Sequence, residues 1–449
     1  MTLSVQQQYK IIEATIFADK LGSTEIDVRP SIAELVLYEN LEKPYVTGQI
    51  TIADNNGIFD SISFSGTERI RIHLASEETI APATIPRTFV MTSIENVIKS
   101  SDAGSSSVYV FTLIDEHAIL SKAKKISRTV QNNLETEIQK ICTTDLKKNI
   151  DISYMFLAGD RNQKVSSIQS NFKGIIPYMH PLDACEWLRD RATTQTGSPF
   201  FLYASIHDEN LRLGNLDVML QEDPFNPKNP YIYSPSNVQR SEERSPIQKT
   251  FQIQNIRSAK MQNTFQQMTA GGIGSLYNNT NLNTGRISSS HFSIRNTLRD
   301  LKNNNTIPSE KIQNVFDENY LLDGEDLDEY NARIFHSITS TGTYGFFKSI
   351  HDETDITKFK KKIANISIRN MLYKNMMEVI VPGAGFLISQ ASVGDIIRIN
   401  VISDIIDTET DSLKLDLLRS GDFLIYNVRH NFRDTRHDVA MTVCKITRG

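Results

Sequence analysis

The sequence predicts an α+β fold, mainly β, in which one small antiparallel β-barrel is used twice, once near each end of the chain. Three observations predict it. Near the C-terminus, "SVGDIIRINVIS" (392–403) reads as a strand opened by a Gly-Asp turn. It is followed by "SGDFLIYNVRHNFRDTRHDVAMTVCKITR" (420–448), a hairpin whose return residues Val439, Met441 and Val443 recur with period two. A weaker copy lies upstream, where "SGTERIRIHLAS" (65–76) precedes "RTFVMTSIENVIKSSDAGSSSVYVFTLID" (87–115), and "YVFTLI" matches "VAMTVC" in spacing. Between the two copies the pattern changes to helix, helix, hairpin.

In chain order, "YKIIEATIFAD" (9–19), "IAELVLYENLE" (32–42) and "VTGQITIAD" (46–54) are strands punctuated by "KLGST", "KPY" and "DNNG". A Pro- and Ala-rich loop (75–86) precedes the first hairpin, so residues 1–122 form the first barrel. Residues 123–240 form an α+β unit. Its first helix lies in 132–150, capped by Asn132 or Asn133, with acids early, lysines late and Ile138, Ile141 and Cys142 on one face. Its second helix lies in 176–197, with Leu182, Cys185, Trp187 and Leu188 as the apolar face, and 198–220 is a hairpin. Pro and Asn punctuation at 221–237 marks a boundary. Residues 241–449 then hold the second barrel, with an irregular, surface-exposed insertion at about 280–350. The basic segment 355–375 is an amphipathic helix with Ile356, Phe359, Ile363 and Ile366 on one face.

With 449 residues, the chain is long enough for two to four domains. A net charge of −5 and a pI near 6.0 argue against a general nucleic-acid binder. The cysteines (Cys142, Cys185, Cys444) are scattered, without metal spacing and without an even framework, which fits a reducing compartment. No apolar run has the length of a classical signal core or of a membrane helix, so neither secretion by that route nor a membrane anchor is expected.

The candidate chemistry is thin. The pentad "SIHDE" at 205–209 and 349–353, and "IDEH" at 114–117, place His beside carboxylates, but consecutive residues of a turn rarely converge on one ion. Solvated turns are the expected reading. Gly271-Gly272 reads as a helix stop, Trp187 as core and the lysine run 360–362 as a solvated helix face. No nucleophile signature appears. No catalytic, cofactor-binding or metal-binding residue is assigned, and no cofactor is expected.

The C-terminal order of basic helix, "MEVIVPGAGFLISQASVGDIIRINV" (377–401), acidic spacer and "SGDFLIYNVRHNF" (420–432) resembles the C-terminal barrel of the baseplate hub protein of contractile-tailed bacteriophages. Pro382, Gly383, Gly394, Asp395, Ser420, Gly421, Arg429 and His430 occupy that family's motif positions, and residues 32–72 look like its first barrel. The hub portion of type VI secretion spikes is related in fold. The resemblance implies a non-enzymatic homotrimer with a central channel, located in the tail baseplate of a virion and assembled in the host cytoplasm. Two tube-forming barrels per chain would let three chains match the hexameric tail tube on one face and a trimeric central spike on the other. It also implies contact with baseplate wedge and tape measure proteins and transient passage of DNA, through a lumen expected to be acidic. The alternatives are the hub of another contractile injection machine and a tail-associated cell-wall hydrolase. Arg429 and His430 are expected at a subunit or inter-barrel contact.

Overall fold

The computed structural model describes residues 9–18, 24–55, 57–61, 64–76, 86–99, 107–157, 163–167, 174–234, 251–261, 264–282, 285–303, 320–339, 356–372, 375–407, 412–417 and 419–446. Its first strand set is β1 (Tyr9–Phe17), β2 (Ile26–Asp27), β3 (Ile32–Asn40), β4 (Thr47–Asp54), β5 (Arg69–Ser76), β6 (Arg87–Lys99) and β7 (Ser107–Asp115). Alternation makes these strands one-sided. Along β7, Tyr109, Phe111 and Leu113 are buried, while Val108, Val110 and Thr112 keep partial contact with solvent.

The middle unit holds β8 (Thr129–Val130), helix Leu134–Asp145, β9 (Ile150–Asp151), β10 (Gly174–Ile175), helix Pro181–Arg189, β11 (Phe200–Ala204) and β12 (Leu211–Asn215). The first helix starts after Asn133, carries Glu135 and Glu137 in its first turn, and buries Leu134, Ile138, Ile141 and Cys142. The second has Pro181 in its first turn and buries Leu182, Ala184, Cys185 and Leu188. Trp187 is only partly buried, with the Arg191 guanidinium 3.9 Å from its ring centroid.

After β13 (Tyr231–Tyr233) come β14 (Asn255–Met261) and helix Thr264–Thr269, which stops at Gly271 with φ 81°. Next are β15 (Gly274–Asn281), β16 (Arg286–Ser293), helix Ile294–Asn303, β17 (Leu321–Leu322), β18 (Glu325–Asp326) and β19 (Arg333–Thr339). In the described part of the expected irregular insertion at about 280–350 the chain is regular; residues 304–319 and 340–350 lie outside the described residues. β16, β15 and β19 form a three-stranded sheet of their own, with β15 and β19 parallel. Its Asn- and Ser-rich sequence hides the alternation, because Ser275, Asn279 and Ser293 share the buried positions with Tyr277 and Phe292. Helix Ile356–Leu372 follows. It buries Ile363, as expected, together with Ala364, Ile368, Met371 and Leu372, but leaves Ile366 exposed. The side chains of Ile356 and Phe359 lie outside the described residues.

The second strand set is β20 (Asn375–Pro382), β21 (Ile396–Asp407), β22 (Ser412–Leu415), β23 (Gly421–Arg433) and β24 (Arg436–Lys445). Both sets belong to a single 14-stranded sheet whose main order is β14-β20-β24-β23-β3-β4-β7-β6-β5-β1-β2. The two sets pair alike. Arg69–Ile72 of β5 face Val90–Arg87 of β6, as Ile396–Ile399 of β21 face Leu424–Gly421 of β23. Met91 N–H then donates to Glu68 O (2.8 Å), and Ile425 N–H to Asp395 O (3.0 Å). Each long strand next shifts register, between Met91 and Ser93 and between Ile425 and Asn427, and β6 shifts once more, between Ile94 and Asn96, where β23 does not. Beyond it, β7-β4-β3 are ordered as β24-β20-β14 are, with Gln49 opposite Thr112 and Glu378 opposite Thr442. The repeat extends to a loop detail: Ser65 N–H donates to the Glu68 carboxylate (3.0 Å) and Ser392 N–H to that of Asp395 (2.8 Å).

Apolar cores cover one face of the sheet. Under the first set, the core continues into the two helices and β11-β12 of the middle unit. Under the second, it continues into Tyr203, Leu216, Tyr231 and helix Ile356–Leu372.

Candidate functional site: the seam between the strand sets

The seam lies where β23 passes from one set to the other. Its start pairs with β21; its end pairs with β3, from Asn427 opposite Asn40 to Arg433 opposite Glu34. Arg429 therefore lies opposite Tyr38, and His430 opposite Leu37. Arg429 is exposed, with its guanidinium 5.9 Å from the Tyr38 ring centroid. His430 points inward and is fully buried. Its Nδ1 is 3.1 Å from His437 Nε2, and its ring stacks on Phe432. Burial, with His207 nearby, lowers the His430 pKa to about 3, and burial also holds His437 well below the ordinary histidine range. His430 Nε2 is 3.8 Å from Glu39 Oε1, but a neutral imidazole at that distance makes no ion pair.

The other motif positions shape the chain around this stack. Pro382 ends β20, where the loss of an amide donor costs least. Gly383 N–H donates to His437 O (2.7 Å), and a Cβ at Gly383 would come within 2.0 Å of the His437 ring. Gly394, with φ 91°, donates to Ile425 O (2.9 Å). Asp395 accepts from Ser392 N–H and from the Tyr154 hydroxyl (2.7 Å). Burial raises its pKa, and these hydrogen bonds partly offset the rise. Ser420 Oγ accepts from Val401 N–H (2.8 Å) and donates to Val401 O (3.2 Å), just before Gly421 turns into β23 with φ 131°.

The sequence reading missed the carboxylates that bolt the seam to the rest of the chain. Glu39 is buried and accepts from Ile206 N–H (2.7 Å) and Ser392 Oγ (2.7 Å), joining β3 to the β11-β12 turn and to the loop before β21. Glu42 accepts from Arg369 (2.8 and 3.0 Å) and the Tyr426 hydroxyl (3.1 Å), and Arg189 Nη1 lies 3.4 Å away. A usable signal was present: Glu39 follows Leu35 and Leu37 in the same inward phase, and Asp115 follows Phe111 and Leu113. A charge in phase with a buried stripe predicts a buried partner.

The expectation of solvated turns around histidine fails at both described sites. His207 is buried, with Nε2 2.8 Å from Ala391 O, and His117 is buried, with Nε2 2.7 Å from Pro44 O. The pentad at 349–353 lies outside the described residues. Among the described residues, no group of three or more His, Cys, Asp and Glu could hold a metal. The uncovered sheet face is polar and mixed in charge, with Arg257, Arg429 and Arg433 beside Glu34, Glu378 and Asp438. A depression of about 420 Å³ on it is lined by Tyr38, Thr47, Glu378, Asn427 and Arg429, but Glu378 is tied to Arg257 (2.7 Å). This is the chemistry of a joint and a smooth polar surface.

No family model matches the sequence, and no curated protein matches it. Solved structures do. The tail protein from Neisseria meningitidis MC58 aligns with a TM-score of 0.52 at 11% identity, covering 98% of this chain and 97% of its own. The chain shares the fold of that tail protein. A 43 kDa tail protein of prophage MuSo2 from Shewanella oneidensis aligns with a TM-score of 0.49 at 11% identity, over 96% of this chain and 98% of that one. An E. coli component of the type VI secretion system aligns with a TM-score of 0.41 at 9% identity, over 98% and 78%.

Proposed function

We propose that this chain is the hub of a contractile phage tail. In this reading it is a non-enzymatic homotrimer in which the two strand sets of each chain serve as equivalent tube-forming modules of one continuous sheet. Three chains then present a pseudo-six-fold ring to the hexameric tail tube and a three-fold face to the central spike. The repeated register of β5-β6 and β21-β23 within one continuous sheet carries the proposal, because an adaptor between three-fold and six-fold partners needs its contact module twice per chain. One sheet face is covered by the cores, so the mixed polar face lines the channel for DNA and tape measure. Its balance of arginines and carboxylates replaces the acidic lumen expected from the overall charge; short polar side chains such as Thr47, Thr51 and Thr112 leave few fixed positive charges to grip a phosphate backbone. Baseplate wedge proteins would meet the middle unit, and the site of action is the virion tail.

Light scattering and negative-stain imaging of the purified full chain test this. Particles of three chains with a central channel and six-fold pseudosymmetry are expected. A stable monomer at every concentration would overturn the reading.

A further inference from the structure

The repeat leaves two sheet edges open. β6 pairs with β7 along its length, but β5 covers its other side only as far as Val90, and the Met91 N–H bond to Glu68 O is the last on that side among the described residues. From Ser93 to Ile98 that side meets no strand among the described residues, and all these residues are exposed. Three of them are large and apolar: Ile94, Val97 and Ile98 are 37%, 43% and 56% exposed. The second open edge is β14, whose pairing within the described residues is with β20 alone.

Each edge has a covered counterpart. Matched through the return strands β7 and β24, the stretch of β23 equivalent to Ser93–Ile98 is Asn427–Asn431, one residue shorter because β6 bulges between Ile94 and Asn96, and there β3 fills the position beside it. The strand equivalent to β3 in the second set is β14, since β3 is to β4 what β14 is to β20. Both halves of the β23–β3 interface are therefore present a second time in the chain, separated and, among the described residues, unpaired.

We propose that the free half of β6 binds the outer edge of β14 of a second copy, antiparallel, so that the sheet runs from chain to chain head to tail. The occupant is fixed by the repeat, because this chain already contains the equivalent joint, and the residues paired below, Val97 and Ile98 with Arg257 and Ser258, lie to one side of the bulges in β6 and β14. The register follows as well. Asn431 lies opposite Val36 at the seam; the equivalents are Ile98 and Arg257. Both sit on the uncovered polar face, Ile98 beside Val108 and Arg257 beside Glu378. In the same way His430 opposite Leu37 becomes Val97 opposite Ser258. An unprotected edge bearing three apolar side chains and no proline is otherwise an aggregation hazard, and a strand from a neighbour removes it. The contact is heterologous, so successive copies close into a ring when the rotation between them allows. This names the subunit contact of the hub proposed above and rests on it only for the number of copies.

The test uses engineered cysteines in the full chain, whose native thiols are all buried. Ile98→Cys and Arg257→Cys chains, mixed and mildly oxidised, should give a covalent dimer that neither gives alone. The double variant should give a closed covalent oligomer. Ser93→Cys with Arg257→Cys is the register control and should not cross-link, because the separation exceeds disulfide reach. Ile98→Lys, at a site already exposed, should keep the wild-type unfolding midpoint and weaken self-association by about tenfold or more. If wild type associates while the 98–257 pair stays unlinked, if the control links equally, or if Ile98→Lys associates unchanged, this interface is wrong and the hub reading survives. If wild type is monomeric throughout, both fall.

Discussion

Arg87 and Asp115 meet as a buried two-point pair, with Arg87 Nε 2.9 Å from Asp115 Oδ1 and Nη2 2.6 Å from Oδ2. The pair closes the junction between the first strand set and the middle unit, because Arg87 also donates to the carbonyls of Ser205 and Asp208, and Asp115 accepts from Val46 N–H. Burial alone would push the Asp115 carboxyl up, but the charge and hydrogen bonds of Arg87 outweigh it and hold the carboxyl below its ordinary value.

Removing one member strands the other. Asp115→Ala should cost about 3–5 kcal/mol in chemical denaturation, since an uncompensated guanidinium remains buried. Arg29→Ala, which breaks the solvent-exposed pair with Asp27, should leave the midpoint nearly unchanged. Equal effects from the two would mean that the Arg87–Asp115 pair is not holding the junction.

Glycine substitutions separate crowding from backbone strain. Gly383 has an ordinary φ, but a Cβ there would sit 2.0–2.4 Å from His437 ring atoms. Gly285 has φ +64° and nothing within 4 Å of its Cβ position. Gly383→Ala should therefore lose about 1–3 kcal/mol through overpacking, and Gly285→Ala about 1 kcal/mol or less through strain alone. Thermal denaturation of the two variants checks the order, and a reversed order would contradict the close packing of Gly383 on His437.

The strands, helices and both long hairpins were legible because their apolar residues alternate or recur at helical spacing, as in Tyr109, Phe111 and Leu113 or Ile138, Ile141 and Cys142. The internal repeat was legible only as a weak echo. Its strength lies in pairing register, which shows in the structure through Arg69–Ile72 and Ile396–Ile399 but leaves almost no trace in residue identity. The insertion was misread because Ser275, Asn279 and Ser293 interrupt the buried stripe of Tyr277 and Phe292, and the strands pair through the backbone. The exposure of Ile366 was hidden because the helix Ile356–Leu372 is packed on more than one side, and its buried stripe includes Ser367 and Asn365. The seam's charges were missed for a different reason. Glu39 and Glu42 have partners far away in the chain, such as Ser392 and Arg369, which no local pattern names.

The buried histidines set a pH window. His430 and His437 are neutral in the folded chain, whereas an unfolded histidine takes a proton near 6.5. Their contribution is thus fully present above about pH 6.5 and is lost as pH falls towards about 3 for His430, at about 1.4 kcal/mol per pH unit for each histidine. Asp217 and Asp395, whose pKa values burial raises, act with the opposite sign from about pH 4 upward, so a difference measurement is needed. The double variant His430→Gln, His437→Gln should be less stable at pH 7.5 and show a flatter loss between pH 6.5 and 4. A slope equal to that of wild type would place the acid sensitivity elsewhere.

Thiol labelling should report which parts of the molecule open first. Cys142 and Cys185 face each other from two helices of the middle unit, with Sγ atoms 3.9 Å apart and no disulfide. Cys444 lies on β24, inside the sheet between β20 and β23. Burial pushes the Cys185 and Cys444 thiols up, and for Cys185 the Cys142 contact adds to it, so neither is a nucleophile in the folded state. An aromatic disulfide reagent should modify no cysteine in the native chain on mixing, and all three after denaturation. In sub-denaturing urea, Cys142 and Cys185 should react before Cys444. Separating the two helices exposes only local surface, whereas freeing Cys444 requires breaking strand pairing on both sides at once. Peptide mapping of the labelled sites measures the order, and earlier labelling of Cys444 would show that the continuous sheet is not the most stable part of the fold.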